Sequence, residues 1–403
     1  LGYKVFKLKW AKKNEYPYPH EDWHAPRILA ENMVTGPNQA ENNHLRVSIN
    51  PDGTLDVTDK TTGRVYAGLN YFQDQGEIGN MWMSAIPGND ATRVSKGQPA
   101  QVALVTQGPL AVVYAITTQL TLPAEFDRGR NQRSAVEVAL PVCVKVTLRK
   151  DSPYIEIETT IENTARDHYL KVCFPTNLDA EKTWADGAFS VTEYPVCPSR
   201  NGELRGKELA RHPAQLWFDL ADGKEGLAVL SDAAKDYEIL ENDTNATMAM
   251  GLVRSVPLRI PCDNRLWMDY PGDESAQSLR AFTYRYAFMP HTGNWEKANL
   301  YNAALGFNAP LKPCQFGKQE GQLPTTKSFL ELSGEGLVLS AVKKADTSDA
   351  VIVRLFNPTD RDKKAAIKVG FDFAEAHLVT LAEERIEALK VKDGAIHFPV
   401  GKG

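Results

Sequence analysis

The sequence has few cysteines, and their spacing excludes the sites that cysteines most often build. They are scattered and no two form a CxxC pair, which excludes a zinc ribbon and a redox motif. An odd number in a chain of this length also argues against a disulfide framework. All five are predicted to be small buried apolar side chains: Cys143, Cys173, Cys197, Cys262 and Cys314.

The sequence also lacks a surplus of basic charge and a long apolar run. Lysine and arginine number 46 against 51 acidic residues, for a formal net charge of −5. Without a dense basic block, nucleic acid is excluded as a predicted partner. No segment is apolar for long enough to span a membrane, and the N-terminus has no signal-peptide core. No membrane association is therefore predicted, and the default location is the cytoplasm.

One short pattern resembles a metal site. The run HEDWH, from His20 to His24, fits the HExxH motif of zinc proteases. That motif needs a helix that places both imidazoles on one face. Here Pro19 and Pro26 flank the run and no helical period surrounds it, so a chance match is predicted. No metal ligand and no cofactor is predicted for this chain.

Alternating apolar and polar residues dominate the rest of the sequence. From Gln98 to Phe174, one alternating segment follows another, and turn residues separate them. Leu45 to Val57 predicts a hairpin closed by the turn at Pro51–Gly53. The absence of a repeat period excludes propellers and solenoids. The pattern predicts an all-β protein built of antiparallel sheets.

The length predicts more than one domain, because 403 residues exceed what one core normally fills. Residues 311–327 are rich in Pro, Gly, Lys and Gln, which predicts a linker. The predicted organisation is an N-terminal edge strand and extended connector over 1–43, a large β-sandwich over 44–310, the linker over 311–327 and a small β-domain over 328–403.

Three segments depart from clean alternation. Asn70 to Pro87 combines acids, glycines and aromatic residues without strand or helix periodicity, which predicts a loop of the kind that carries recognition surfaces. Lys182 to Arg211 is also predicted to be irregular. Phe373 to Leu389 favours helix on propensity alone.

Four blocks of the sequence resemble a known family. The run ENNHLRVSINPDGTLDVTDKTTGRVYAGLNYF, followed by DQGEIGNMW, is similar to the C-terminal β region of bacterial glycoside hydrolase family 38, the retaining α-mannosidases. The similarity continues, in family order, at Arg211–Ile239, Tyr270–Trp295 and Val338–Thr359. The resemblance implies a large antiparallel two-sheet sandwich of the galactose mutarotase-like type, followed by a small C-terminal β-sandwich. It also implies strand and turn for Phe373 to Leu389.

The resemblance also implies what this chain does not contain. Family 38 enzymes carry their zinc ligands and nucleophile upstream of a Leu-Gly-Tyr strand like the one that opens this sequence. None of those motifs matches a position here, so we expect the chain alone to be inactive and to have no catalytic residue. We expect a longer protein with zinc in its catalytic domain, on which this β portion packs.

The site residues are likewise implied by the resemblance. The family loop after the first hairpin carries an aromatic residue that faces the substrate, and Trp82 takes that position here. Trp82 is therefore predicted to stack on an α-mannoside, with Asp74, Glu77 and Asn80 bonding its hydroxyls. Asn80 and Trp82 replace the family's Asp and Tyr. Tyr194, where relatives often carry arginine, is the remaining candidate.

Several alternatives stay open at this point. Trp82 could instead pack its loop onto the sheet, with the loop acids solvated. The chain could be a free-standing carbohydrate-binding or scaffold module. It could also be an independent enzyme on a mutarotase-like sandwich, which would need a His and an acid that converge. His291 is predicted to be a turn-stabilising hydrogen-bond partner, and self-association into a homo-oligomer is left open.

Overall fold

We describe the protein from a computed structural model. The structure describes residues 1–7, 32–196, 211–232, 235–242, 245–261, 267–317 and 320–403. The predicted chance match at 20–24, Cys197 and Cys262 lie outside these ranges. The chain divides into two compact units. The larger comprises the described parts of 29–187 and 192–309, and the smaller comprises those of 1–28, 188–191 and 310–403.

The larger unit contains three main sheets, and the strand pairs that the structure describes in them are antiparallel. The nine-stranded sheet has the order Ser190–Pro195, Lys182–Gly187, Trp217–Ala221, Glu225–Ser231, Ala281–Thr292, Ile155–Glu162, Glu137–Arg149, Ala111–Pro123 and Gln101–Thr106. The six-stranded sheet has the order Arg211–Ala214, Lys235–Asn242, Asn245–Ser255, His168–Pro175, Tyr71–Gly76 and Arg93–Val94. The five-stranded sheet has the order Val34–Gly36, Gln39–Glu41, Leu45–Ile49, Leu55–Asp59 and Val65–Leu69.

One hydrophobic core joins the inner faces of these three sheets. Val47 comes from the five-stranded sheet, Val144 from the nine-stranded sheet and Phe174 from the six-stranded sheet. The alternation of apolar and polar residues explains why these segments form strands. In Ala111–Pro123, every second side chain from Val112 is buried and its neighbours are more exposed. Burying an aliphatic side chain of this size contributes about 1.5–3 kcal/mol, so the register that turns these residues inward is strongly favoured. The predicted all-β class is confirmed.

The predicted hairpin at the start of the larger unit is also confirmed. Leu45–Ile49 pairs antiparallel with Leu55–Asp59, and Gly53 turns the chain with φ of +80°. A side chain at Gly53 would be strained at that angle and would meet Ile116 at 2.9 Å. Where the sequence predicts an extended connector up to residue 43, Val34–Gly36 and Gln39–Glu41 instead extend this sheet.

A single α-helix, Leu300–Asn308, occurs among the described residues and was not predicted. It packs on Trp217–Ala221 and Glu225–Ser231 of the nine-stranded sheet, on the face away from the other sheets. The Tyr301 ring meets Trp217 edge-on, with centroids 5.5 Å apart. Within the described part of the chain, no helix is long and apolar enough to cross a membrane. A 3₁₀ turn spans Ser275–Gln277.

The remaining strands of the larger unit form short hairpins. Phe126–Asp127 pairs with Gln132–Arg133, and Arg259–Pro261 pairs with Trp267–Asp269.

The smaller unit is also built of strands. Its main sheet has the order Leu330–Ser333, Lys363–Val369, Ala395–Val400 and Lys390–Lys392. Its two-stranded pairs are Val338–Lys344 with Val351–Phe356, His377–Val379 with Arg385–Ala388, and Gly2–Lys4 with Thr326–Ser328. Phe373 to Leu389 therefore contains strands and a turn, as the resemblance implied and against its helical propensity.

Three predictions about local structure are wrong. Tyr71–Gly76 is a strand of the six-stranded sheet rather than part of a loop. Lys182–Gly187 and Ser190–Pro195 are strands within the segment predicted to be irregular. Cys173 is buried as predicted, and burial raises the pKa of its thiol to about 12, but Cys143 and Cys314 are exposed.

Candidate functional site

The candidate site begins where three strands of the six-stranded sheet end together. Gly76, His168 and Ser255 lie opposite one another across three neighbouring strands. The irregular segment 77–92 leaves the sheet after Gly76, at the edge where His168 begins its strand and Ser255 ends its own. Side chains from all three strands therefore meet at the base of this segment.

The base is a buried ion cluster around Asp74. Arg133 donates through Nη2 to Asp74 Oδ1 at 2.6 Å, and His168 donates through Nδ1 to Asp74 Oδ2 at 2.5 Å. The Asp74 and His168 side chains have no exposed surface. Both carboxylate oxygens are thus engaged inside the protein. Asp74 thus supports the base of the loop, and its predicted bond to a sugar hydroxyl stays a prediction.

Both ring nitrogens of His168 face oxygen atoms in this cluster. The ring lies between Asp74 on the Nδ1 side and Asn163 Oδ1, which is 2.9 Å from Nε2. The amide nitrogen of Asn163 donates to the Gln277 and Ser278 carbonyls at 3.1 Å each, which fixes the oxygen toward the ring. The position of the imidazole is therefore set from both sides.

Glu77 is the centre of the loop above this base. Its Oε1 accepts from the backbone N–H groups of Gly79 at 2.9 Å and Ala85 at 2.8 Å. Its Oε2 accepts from the Ser84 hydroxyl and from Arg254 Nε, the latter at 3.1 Å. With no exposed side-chain surface, Glu77 holds both arms of the loop together. Its predicted role as a sugar contact stays a prediction, like that of Asp74.

Asn80 forms the turn at the end of the loop. Its Oδ1 accepts from the backbone N–H groups of Trp82 and Met83, both at 2.9 Å. Its own N–H donates to the Met83 carbonyl at 2.8 Å. These bonds define an Asx-type turn. Asn80 is only 5% exposed, and its oxygen shapes the backbone of the turn. Its predicted bond to a sugar stays a prediction.

The turn presents three large apolar side chains to solvent. Met81 is 43% exposed, Trp82 57% and Met83 47%. We call these three residues the apolar tip. The prediction that Trp82 is solvent-accessible in this chain is confirmed. What the tip contacts in a ligand stays a prediction.

Tyr194 lies elsewhere, on the edge strand Ser190–Pro195 of the nine-stranded sheet. Its ring stacks on His212, with centroids 3.9 Å apart and planes 15° apart. One face of the ring is therefore covered by protein, while burial lowers the pKa of His212. The role of Tyr194 as a sugar contact stays a prediction.

His291 does find an acid, as the mutarotase-like alternative would require. Its Nε2 donates to Asp219 Oδ1 at 2.8 Å, and the residues are 6% and 0% exposed. They lie on the face that the Leu300–Asn308 helix covers. The pair is thus buried and closed to substrate, and the predicted hydrogen-bonding role of His291 is confirmed.

Across the described part of the chain, no three His, Cys, Asp or Glu side chains are grouped as metal ligands. The sequence reasoning missed Arg133, His168 and Arg254, which complete the ion cluster and the loop. Their partners lie 59, 94 and 177 residues away, so no local pattern could reveal them.

Comparison with known proteins identifies the family. Residues 40–257, more than half of the chain, match the glycosyl hydrolases family 38 C-terminal domain. Residues 336–402 match the family 38 C-terminal β-sandwich domain. The chain belongs to glycoside hydrolase family 38. The apolar tip, its turn and Arg254 all lie within the first match.

This family 38 chain spans less than half the length of the curated relatives it matches. A Halalkalibacterium halodurans protein named "Putative mannosylglycerate hydrolase" is 27% identical over 87% of this chain, which spans 39% of that protein. The α-mannosidase 2C1 of Mus musculus is 22% identical over 72% of this chain, which spans 24% of that enzyme.

Solved structures share the fold. An α-mannosidase from Enterococcus faecalis V583 superposes with a TM-score of 0.80 and 23% identity, covering 93% of this chain and 43% of that one. A second family 38 structure from Enterococcus faecalis gives 0.79 and 24% identity, covering 93% and 45%. The antiparallel β-architecture of the family is therefore present here.

Proposed function

We propose that this chain is the β portion of an α-mannoside hydrolase and that its apolar tip forms one wall of the sugar pocket. The observation that carries the proposal is the exposure of Trp82 on a loop whose backbone is fixed by buried polar groups. An indole held in water by such a scaffold offers an apolar face at little entropic cost. The apolar face of a pyranose ring is a matching surface.

The relatives support the chemistry of the whole protein. The curated relatives are named as a mannosylglycerate hydrolase and as α-mannosidases. The proposal assigns hydrolysis, and the zinc that the family uses, to a catalytic domain upstream of this chain. The residues of this chain bind and orient: Glu77 and Asn80 shape the loop, and Trp82 contacts the sugar. Packing against that domain and a cytoplasmic location belong to the same proposal.

The test is made in the whole protein with an aryl α-mannoside. We expect Trp82→Ala to lower kcat/KM by about 10-fold or more, corresponding to about 1.4 kcal/mol of lost transition-state binding. Because the side chain is exposed, the melting temperature should hardly change. Trp82→Phe keeps an aromatic face and should retain most of the activity.

Two results would contradict the proposal. One is an unchanged kcat/KM in Trp82→Ala. The other is a loss of stability with intact catalytic constants, since Trp82 would then be a packing residue. Tight mannoside binding by the 403-residue chain alone would favour the free-standing binding module instead.

A further inference from the structure

We propose that Arg254 is the positioning residue for the apolar tip, so that its guanidinium sets where Trp82 meets the sugar. This inference rests on the proposed function and adds to it the group that aims the aromatic ring. Arg254 lies on the strand Asn245–Ser255, outside the loop and far from it in sequence.

The backbone carbonyls around Trp82 converge on this one side chain. Arg254 Nη2 donates to the carbonyl oxygens of Asn80 and of Met83, the latter at 2.9 Å, and Nη1 lies 3.5 Å from that of Met81. The chain thus wraps around the guanidinium at Asn80, Met81 and Met83. With these carbonyls turned inward, the side chains of the tip are turned toward solvent.

The Arg254 guanidinium is itself held in place by Glu77. Arg254 Nε donates to Glu77 Oε2 at 3.1 Å, and the Arg254 side chain is 25% exposed while Glu77 is fully buried. Glu77 is fixed in turn by the backbone N–H groups of Gly79 and Ala85. A second cation, Arg211, lies 3.8 Å from the same carboxylate and stacks over the Tyr169 ring.

Arginine suits this position for a geometric reason. Its planar fork carries five donors that point in fixed directions, so it can meet a carboxylate and several carbonyls at once. A lysine ammonium is a single charged centre and reaches fewer of them. Removing the fork would leave the Glu77 carboxylate without its main cation and would release the carbonyls of the tip.

The experiment compares Arg254→Met and Arg254→Lys in the whole protein. We expect Arg254→Met to lower kcat/KM for an aryl α-mannoside by about 10- to 100-fold, as a displacement of about 1 Å from the productive position can do. Arg254→Lys should recover part of that loss. Hydrogen exchange of the amides from 79 to 85 should speed up in Arg254→Met while the rest of the sheet stays protected.

Arg149→Met is the matched control. Arg149 also pairs through Nε with a glutamate, Glu156, at 2.6 Å, but its side chain is 56% exposed and lies on the nine-stranded sheet. That variant should change neither kcat/KM nor exchange at 79–85. If Trp82→Ala loses activity and Arg254→Met does not, the positioning role is wrong and the proposed function stands. If both variants are fully active, the proposed function itself fails. Unchanged hydrogen exchange at 79–85 in Arg254→Met would contradict the positioning role of Arg254 independently of activity.

Discussion

Arg133 and Asp74 form an ion pair inside the larger unit, with Nη2 and Oδ1 2.6 Å apart and side chains only 7% and 0% exposed. His168 binds the other carboxylate oxygen, and Asp90 lies 3.7 Å from Arg133 Nη1. Desolvating these groups is costly, and the cluster is favourable only while each charge keeps its partner. Asp74 is therefore the residue on which the base of the loop depends.

We predict that Asp74→Asn destabilises the larger unit by about 3–5 kcal/mol, because it leaves the buried Arg133 guanidinium facing a neutral amide. The free energy of unfolding can be measured by urea denaturation. Glu158→Gln is the control: it breaks the Lys145–Glu158 pair at a similar 2.7 Å, but those side chains are 57% and 38% exposed. An exposed pair contributes about 0–1 kcal/mol. Equal effects of the two substitutions would contradict the burial argument.

A second prediction concerns Asn80 and the turn that presents Trp82. Asn80→Ala removes the oxygen that accepts from the N–H groups of Trp82 and Met83, so both amides should exchange about 10-fold faster. Asn80→Asp keeps an oxygen in that place and should preserve their protection.

The matched control for Asn80 is Asp222→Ala. Asp222 accepts in the same way from the N–H groups of Lys224 and Glu225, both at 2.9 Å, in a hairpin turn of the nine-stranded sheet. Its loss should speed exchange at that turn and leave Trp82 and Met83 protected. Unchanged protection in Asn80→Ala would show that Arg254 alone holds the tip.

Most of the sheet architecture was predictable because its strands have one buried face. In Ala111–Pro123 and Ile155–Glu162 the alternation of burial follows the alternation in the sequence. Tyr71–Gly76 was missed because four of its six residues are buried and two of those four are polar, Asp74 and Gln75. An acidic residue in such a segment predicts a loop unless the distant cation that pairs with it is known.

The candidate site was likewise predictable only in part. The exposed position of Trp82 followed from the resemblance to the family, because the aligned aromatic faces a ligand rather than the core. The roles of Asp74 and Glu77 did not follow, because sequence shows an acid but not whether protein donors surround it. The Leu300–Asn308 helix has nine residues, fewer than the window of about 11–18 over which a helical period is recognised, and was therefore missed. Its buried residues do follow helical spacing: Leu300, Tyr301, Ala304 and Phe307.

His291 gives the larger unit a pH-dependent stability. Burial by itself lowers the pKa of His291, but the charge of Asp219, the hydrogen bond to it and the more distant charge of Asp59 raise it, and the pKa lies above its usual value. The folded state thus holds the proton more tightly than the unfolded state, in which the pKa of histidine is about 6.5. This contribution is complete below about pH 6.5 and is lost as the pH rises through the folded value.

We therefore predict that the stability difference between the wild type and His291→Gln shrinks as the pH rises from about 5.5 to 8.5. At high pH the His291 imidazole is neutral in both the folded and the unfolded wild type, so its proton no longer favours the folded state. Taking the difference cancels the titration of groups common to both proteins. Gly226→Ala provides a second variant, since a Cβ there would lie 2.5 Å from His291 Nε2 and would displace the ring from Asp219. It should flatten the same pH profile while keeping the histidine. Urea denaturation at five or more pH values measures both, and a difference that stays constant across the range would show that the proton on His291 does not stabilise the fold.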